Sequence, residues 1–351
     1  VIITFIVPSQ NAFVKKENNF LYRKVHFIDR KTECCHVYNL EVDSDKHSYC
    51  GNTVAIANCF ARETEIITSN GIKQIGDCLD SNHFLLTKWG HWKEARIRSF
   101  GIQKLMKVVL KRENEEKIVY ATRDHGWFLH SRKDHSHDKY KKHHLNTRIS
   151  TENLRLGDNI QYEFAKSINY KTVPSSIGVA HGFTFGDGSR TIKQHKSYVE
   201  ATLCGHKSKD LLPYFSMHKF YYYPNACFGG AISVRNLPGF FKDFPSLDEP
   251  FYYLYGWLAG YFAADGHVSK SGQIMISSSK KENLIFVQNL CSILGIGYYD
   301  VRLTSCVNPF NGESRQLYNL SLMPFTLHEP FFILEKHRNR FNIASKLNPF
   351  Y

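Results

Sequence analysis

Asn58-Cys59 is the pair of neighbouring residues in this chain best suited to break the peptide bond that joins them. The side-chain amide of an asparagine can attack its own backbone carbonyl, close a succinimide and release the next residue. The thiol of a cysteine can attack the preceding carbonyl and convert an amide into a thioester, provided that it is activated. An isolated pair of this kind is usually an inert loop, so its meaning depends on the flanking segments.

A second chemical signal is a repeated pattern of small residues that ends in aspartate. Each copy has small residues one, five and nine positions before Asp187 or Asp265: Gly186, Gly182 and Gly178, then Ala264, Gly260 and Gly256. This spacing predicts one small-residue face on each of two helices. Close packing of these faces would offset the cost of about 1 kcal/mol for each helical glycine. Gly188 and Gly266 are expected to end the helices.

Two such helices packed side by side would bring Asp187 and Asp265 together at their C-terminal ends. Carboxylates in this position face the negative end of the helix dipole and repel each other. The arrangement is unfavourable for stability and favourable for binding a divalent cation. Mg²⁺ is the expected cation because it prefers carboxylates combined with phosphate oxygens.

The composition limits the kind of protein that this chain can be. The 351 residues are 42% hydrophobic, which predicts two or three globular domains. The net charge of +13 indicates a polyanionic partner, most often nucleic acid. The nine cysteines are odd in number and form no CxxC pair, which predicts reduced thiols and a cytoplasmic location. The sequence has no apolar run of 18 residues, so no membrane span is expected.

The elements expected to position these residues differ along the chain. Short strands are predicted throughout 1–165, with a hairpin turn at Ser69-Asn70-Gly71. The polar run 130–144 includes His135 and His137, which could capture a metal, although its composition favours a solvated loop. In 166–351 each aspartate pattern is followed by a predicted strand and helix: 198–203 and 207–220, then 273–276 and 280–294.

The aspartate patterns resemble the motif of the LAGLIDADG homing endonucleases. The second copy reads LAGYFAADG, and the first, AHGFTFGDG, is degenerate but lies at the matching position 78 residues earlier. The resemblance implies an α+β domain over 166–351 with pseudo-two-fold αββαββα repeats, whose sheets sit on double-stranded DNA. It also implies that Asp187 and Asp265 hold Mg²⁺ for double-strand cleavage by a monomer. The lysines that could supply a basic group are Lys193, Lys207, Lys280 and Lys281.

The segments around Asn58-Cys59 resemble the two ends of an intein. The segment from Cys59 resembles the first block, with Cys59 as the nucleophile, and Thr122-Arg123-Asp124-His125 resembles the internal TxxH block, whose Thr and His grip the scissile peptide. His47 takes the position of an assisting histidine, and Asn58 that of the terminal asparagine. The resemblance implies an all-β, horseshoe-shaped Hint splicing domain, with host protein (extein) segments as its partners.

Two departures from the intein pattern affect this interpretation. Ala57 replaces the usual histidine before the terminal Asn, which predicts slow cyclisation of Asn58. The C-terminal blocks, in 1–58, also precede the N-terminal blocks, in 59–165. A circular permutation explains this order, and a tandem of two truncated inteins also fits it. The sequence is also compatible with a LAGLIDADG scaffold that binds DNA without cleaving it, and with a hedgehog-type autoprocessing domain.

Overall fold

The structure is a computed structural model that describes most of the 351 residues. The described ranges are 21–42, 49–51, 54–57, 59–87, 90–112, 115–131, 147–169, 171–193, 196–226, 230–307 and 314–347. The chain divides into two compact units, Val1–Ala165 and Lys166–Pro349. Within the described ranges, no helix is both long and apolar enough to cross a membrane.

The strands described in the first unit all belong to one sheet. They are β1 (Leu21–Val42), β2 (Tyr49–Gly51), β3 (Val54–Ala57), β4 (Phe60–Ala61), β5 (Glu65–Thr68), β6 (Gly71–Gln74), β7 (Asn82–Leu86), β8 (Trp92–Arg112), β9 (Glu115–Thr122), β10 (Gly126–Ser131), β11 (Thr147–Ser150) and β12 (Asn159–Tyr162). The sheet order is β1-β4-β9-β8-β7-β5-β2-β3-β12-β10-β11, with β6 paired to β5. The pairings between these strands are antiparallel, which is consistent with the predicted all-β character of this part of the chain.

Strands from both sides of Asn58 are interleaved in this sheet. β1 pairs with β4, β8 and β12, β2 pairs with β5, and β3 pairs with β10 and β12. Val37, Cys59, Ala61 and Leu105 therefore lie in one buried cluster although they come from four strands or loops. The two segments share a core, so neither can bury its apolar side chains without the other.

The expectation of only short strands in 1–58 is wrong for β1. This strand has 22 residues and follows β8 along most of its length. The pairing shifts register at three places, between Val25 and Phe27, Asp29 and Glu33, and His36 and Tyr38. Such irregularities bend a strand and interrupt its alternation of buried and exposed side chains. A bent strand of this kind therefore looks like several short strands in the sequence.

The second unit contains two copies of the same order of elements. The first copy contains α1 (Ser176–Asp187), β13 (Gly188–Lys193), β14 (Lys196–Cys204), α2 (His206–Leu211), β15 (Phe220–Tyr223) and β16 (Ala231–Leu237). The second contains α3 (Phe251–Asp265), β17 (Gly266–Val268), β18 (Ile274–Ser278), α4 (Lys281–Leu294), β19 (Arg302–Val307) and β20 (Ser314–Leu322), and α5 (Glu335–Leu347) follows it. Each copy has its own antiparallel sheet, β13-β14-β16-β15 or β17-β18-β20-β19.

One local expectation in this unit is corrected by the structure, and another is confirmed. The helix predicted over 207–220 is shorter in the structure: it ends at Leu211 and is followed by a 3-10 turn over Leu212–Phe215. The α-helix stops there because Pro213 lacks the N–H that an α-helix needs. Gly188 and Gly266 end the helices as expected, and their backbones are extended, with φ of −86° and −88°. Each is the first residue of a strand, so the chain passes directly from helix to strand.

Candidate active site

Helices α1 and α3 are packed backbone to backbone through their glycines. A Cβ at Gly182 would lie 2.7 Å from the carbonyl carbon of Trp257 and closer still to its oxygen. A Cβ at Gly260 would meet the backbone of Val179 in the same way, at 2.8 Å from its carbonyl carbon. Only glycine fits at these two positions, and the close approach provides the packing that offsets their poor helix propensity.

The contacts advance in the same direction along both helices. A Cβ at Gly178 would touch the backbone at Gly256, and one at Gly186 would touch Ala264. The helices therefore run parallel, and their C-terminal ends lie together. These ends carry Asp187 and Asp265 as the last helical residues.

The carboxylate of Asp265 lies partly buried beside the end of α1. Its Oδ2 atom would be 3.3 Å from a Cβ at Gly186. Burial, and then the negative charge of Asp187, raise the pKa of Asp265 from 3.8 to about 6. Asp187 is more exposed, with 37% of its side chain accessible to solvent. The structure thus brings together the two carboxylates that the sequence singled out.

Lys207 connects the ends of the two helices. Its Nζ donates to Oδ2 of Asp187 and to the backbone carbonyl of Ala264, both at 3.1 Å. Of the other lysines considered from the sequence, Lys280 and Lys281 are exposed at the start of α4, and Lys193 ends β13. Lys207 is the member of this group that the structure shows bonded to a carboxylate.

Lys242 also belongs to the site, although sequence reasoning did not single it out. Its Nζ donates to the carbonyls of Thr184 at 3.1 Å, Phe185 at 2.5 Å and Gly188 at 2.8 Å. These carbonyls lie at the C-terminal end of α1, where a cation also interacts favourably with the helix dipole. Burial lowers the pKa of Lys242, and the nearby charge of Asp265 opposes this shift.

His181 holds the segment that carries Lys242. Its ring nitrogens lie 2.8 Å from the hydroxyl of Tyr253 and 2.9 Å from the backbone oxygen of Asp243, and its ring stacks on Phe241. The 3-10 turn Gly239–Lys242 is thereby fixed against α1. No pattern in the sequence identifies this role, because His181 and Asp243 are 62 positions apart.

The donor set at the helix ends suits a hard cation only in combination with a substrate. In the described part of the chain, no group of three His, Cys, Asp or Glu side chains is placed to hold a metal. Mg²⁺ commonly uses one or two protein carboxylates and takes its remaining ligands from phosphate oxygens and water. Asp187 and Asp265 fit this requirement, because each supplies one carboxylate at the same end of the helix pair.

The first unit brings three of its predicted site residues together. The backbone N–H of Thr122 donates to the carbonyl of Cys59 at 3.4 Å, and the N–H of His125 donates to the carbonyl of Thr122 at 3.1 Å. The fully buried ring of His125 packs 4.1 Å from the ring of Phe60. Burial, followed by the charge of Asp124, raises the pKa of Cys59 to about 11, so its thiol is protonated at neutral pH.

Three other predictions concern residues outside the described ranges. They concern Asn58, His47 and the polar run 130–144, which lies outside the described ranges from residue 132 onward and includes His135 and His137 there. The structure does show the residues on either side of Asn58. Ala57 pairs with Gly126 at the start of β10, while Cys59 bonds to Thr122. Both neighbours of Asn58 therefore lie beside the Thr122–His125 turn.

Comparison with known protein families finds a match within part of the second unit. A family model described as a LAGLIDADG-like domain matches residues 253–317, which extend from α3 into β20. The chain has no significant match among curated proteins.

Three solved structures are similar to part of the chain, but their sequence identities and TM-scores are low. Mesophilic variants of the homing endonuclease I-DmoI are 14% identical, covering 48% of this chain and 96% of that one, with a TM-score of 0.30. I-DmoI in complex with DNA and Mn is 16% identical, covering 42% and 90%, with a TM-score of 0.28. The N-terminal LAGLIDADG domain of DUF199/WhiA is 16% identical, covering 51% and 89%, with a TM-score of 0.29. With the family match and the geometry above, the second unit carries a LAGLIDADG-like domain, an α/β fold with antiparallel sheets.

Proposed function

We propose that the second unit is a site-specific homing endonuclease that makes double-strand breaks in DNA with a divalent cation, Mg²⁺ in the first instance. The observation that carries this proposal is the parallel packing of α1 and α3, which places Asp187 and Asp265 at the same end of the helix pair. An arrangement that needs glycines in two helices and leaves two carboxylates close together is costly for stability. A cation-dependent activity at this point accounts for it.

The charge of the second unit supports DNA as the substrate. Residues 166–351 contain 19 Lys and Arg against 12 Asp and Glu, a surplus of 7. Positive side chains neutralise DNA phosphates and release counterions, so the affinity should fall steeply as the salt concentration rises. The cleavage reaction itself would take place at the helix ends, where the carboxylates are.

Each side chain at the site has a separate role in this proposal. When bound, a divalent cation supplies Lewis-acid stabilisation and lowers the pKa of water. Asp187 and Asp265 would hold it, each serving one DNA strand. Lys207 orients Asp187 through its 3.1 Å bond and adds positive charge where phosphate oxygens would approach. Lys242 fixes the last turn of α1 through its carbonyl contacts and so keeps Asp187 in place.

The test is cleavage and binding of randomised duplex DNA by the full chain. Binding is measured in Ca²⁺ and cleavage in Mg²⁺, for the parent and for Asp187→Asn and Asp265→Asn. Both substitutions should abolish cleavage and leave binding nearly unchanged. Asp248→Asn, on an exposed loop, is the matched control and should cleave like the parent. If Asp265→Asn cleaves like the parent, the assignment of this site is wrong.

A second candidate function is self-cleavage at the Asn58–Cys59 bond by an intein-like splicing domain. It is favoured by the placement of Cys59, Thr122 and His125 around one turn, with Ala57 paired to the same turn. In the proposed mechanism Cys59 carries out the N–S acyl shift and His125 protonates the leaving nitrogen. The raised pKa of Cys59 predicts that the shift is slow at neutral pH.

One bond would serve both halves of the splicing reaction in this chain. The residue after Asn58 is Cys59 itself, so no separate downstream nucleophile exists to accept the acyl group. The thioester can then only return to the amide or be hydrolysed, and succinimide formation at Asn58 is the other outlet. Hydrolysis and succinimide formation both cut the chain into 1–58 and 59–351. The two fragments should remain associated because their strands share one sheet.

The intact mass of freshly purified protein tests this second function. Dithiothreitol should accelerate fragmentation if the thioester forms, and Cys59→Ala should remove that acceleration. Asn58→Ala should remove only the succinimide route. Fragmentation of the double variant at the parent rate would show that neither side chain drives the reaction.

A further inference from the structure

The first sheet of the second unit has one face with exposed polar and aromatic side chains. The register places Thr202, Ser233 and Tyr221 side by side on three neighbouring strands. The exposed side chains of this face include Tyr198, Thr202, Tyr221, Tyr223 and Arg235, and Glu200 is partly exposed. On the opposite face Val199, Ala201 and Val234 are buried, while Phe220 and Tyr222 of the edge strand β15 are exposed.

Arg235 lies at an irregularity in this sheet. Val199 pairs with Leu237 and Ala201 with Val234, so two residues of β16, Arg235 and Asn236, lie opposite one residue of β14. Asn236 has a φ of 58°, in the left-handed region that asparagine tolerates better than most residues. A β-bulge of this kind changes the direction of a side chain and is common beside functional sites. The pairings of β20 with β18 and β19 have no register shift, so the second sheet lacks a counterpart in its described residues.

The guanidinium group of Arg235 is held in a fixed position. Its Nη2 donates to the hydroxyl of Tyr223 at 2.8 Å and its Nε to the hydroxyl of Ser233 at 3.3 Å. It also lies 4.9 Å from the centre of the Tyr221 ring. Two of its five N–H groups are therefore used within the protein, and three remain for a partner. With 47% of the side chain exposed, these groups are accessible from the solvent side of the sheet.

The neighbouring carboxylate of Glu200 does not explain why Arg235 is held in this position. The carboxylate of Glu200 lies 3.8 Å from Nε, and both side chains are almost half exposed. An exposed ion pair at this distance contributes little to stability. The bulge and the contacts with two tyrosines and a serine hold the arginine more firmly than an exposed ion pair requires. Holding an arginine in place in this way reduces the entropy that it loses on binding a ligand.

On the matching face of the second sheet, the polar side chains at the centre are bonded to one another. There Ser277 donates to Oδ1 of Asn319 at 2.7 Å, and Nδ2 of Asn319 donates to the hydroxyl of Thr304 at 3.0 Å. Both ends of the Asn319 amide are thus already bonded within the sheet. Arg302 pairs with Asn319 on this face and is exposed, so the two sheets differ in the side chains around the arginine rather than in whether an arginine is present.

We propose that Arg235 is a specificity-determining residue that reads a guanine in the half of the DNA target bound by the first sheet. The proposal rests on the proposed endonuclease function. An arginine fork donating to O6 and N7 of guanine is the commonest specific contact in the major groove, and the free N–H groups of Arg235 suit it. The described residues of the second sheet have no register shift like the one that holds Arg235, so the proposed contact belongs to the half-site bound by the first sheet.

The experiment is a binding selection from randomised duplex DNA with the full chain in Ca²⁺. The parent should select a guanine at one position, and Arg235→Ala should lose that preference while keeping the others. The loss in discrimination should be about 5- to 150-fold, the range expected for one bidentate contact. Arg235→Lys should retain part of the preference, and it replaces Arg235→Ala as the measured variant if thermal unfolding shows that the latter misfolds.

Two further measurements distinguish a contact of Arg235 with the guanine base from a general effect of its positive charge. Replacing the selected guanine by 7-deazaguanine, which lacks N7, should weaken binding of the parent and leave Arg235→Ala unchanged. Lys270→Ala removes one exposed charge from the turn of the β17–β18 hairpin and should not alter the selected sequence. If Arg235→Ala weakens binding to all sequences equally, Arg235 contacts phosphate and this proposal fails, while the endonuclease proposal stands. If the parent binds no DNA, both fail.

Discussion

Replacement of Asp265 by Asn should make the protein more stable at neutral pH while it abolishes cleavage. The partly buried carboxylate is ionised at pH 7 although burial and the charge of Asp187 raise its pKa from 3.8 to about 6. A pKa difference of about 2 corresponds to about 3 kcal/mol of unfavourable interaction in the folded state, at 1.36 kcal/mol for each pKa unit. Asparagine has nearly the same shape without the charge, so the substitution removes this penalty.

The pH dependence follows from the sign of the shift. Below the unfolded pKa, near 3.8, the carboxyl is protonated in both states and the penalty is absent. As the pH rises through about 6 the unfolded state has already lost its proton, so ionisation in the folded state carries the full penalty. The advantage of Asp265→Asn should therefore be close to zero at pH 4, grow between pH 4 and 6, and reach up to about 3 kcal/mol at pH 7.

Urea unfolding in EDTA at pH 4, 5.5 and 7 measures this difference in the free energy of unfolding. The corresponding rise in Tm at pH 7 would be at most about 6–12 °C for a unit of this size. Asp248→Asn is the control, since it removes a carboxylate from an exposed loop. Added Mg²⁺ should stabilise the parent more than Asp265→Asn, because a ligand stabilises the state that binds it. A variant no more stable than the parent at pH 7 would refute the reasoning.

The other predictions concern the interface of α1 and α3, the thiol of Cys59 and the side chain of Lys207. Gly182→Ala should lower the free energy of unfolding by about 2 kcal/mol, since overpacking against backbone costs up to about 3 kcal/mol and helix propensity returns about 1 kcal/mol. Urea unfolding measures this, with Gly239→Ala as control because a Cβ there meets nothing within 4 Å. Alkylation of Cys59 by iodoacetamide should accelerate about tenfold for each pH unit between 7 and 10, because burial raises its pKa to about 11. A rate independent of pH would contradict this. Lys207→Met should shift the acid limb of the cleavage–pH profile to higher pH, because Lys207 holds the pKa of Asp265 down.

The pairing of α1 and α3 could be predicted because its determinants are local. Residues four positions apart lie on one face of a helix, so glycines at Gly178 and Gly182 indicate a face that accepts another backbone. The aspartate that ends each helix pattern is also predicted from residues close to it in the sequence. The structure agrees with this pattern, since the helices end at Asp187 and Asp265.

The sequence could not show which of the four candidate lysines lies beside the carboxylates. That depends on where the strands after α1 bring the chain back to the helix ends. Lys207 reaches Asp187 only after β13 and β14 have brought the chain back to the helix ends. Lys242 is farther along the chain and depends on His181 to place it. Neither contact has a periodicity that could reveal it.

Periodicity along the chain therefore determined which helices would pack, which residues would end them and that the described part of 1–165 would be built from strands. Tertiary structure alone decided that Lys207 would reach a carboxylate and Lys242 the carbonyls at the end of α1. It also decided that β1 would be one long strand with three register shifts, and that a bulge would hold Arg235. The physical reason is the range of the interactions. Side-chain alternation and helical spacing repeat over a few residues, whereas register shifts and cross-sheet contacts are set by partners that are distant in sequence.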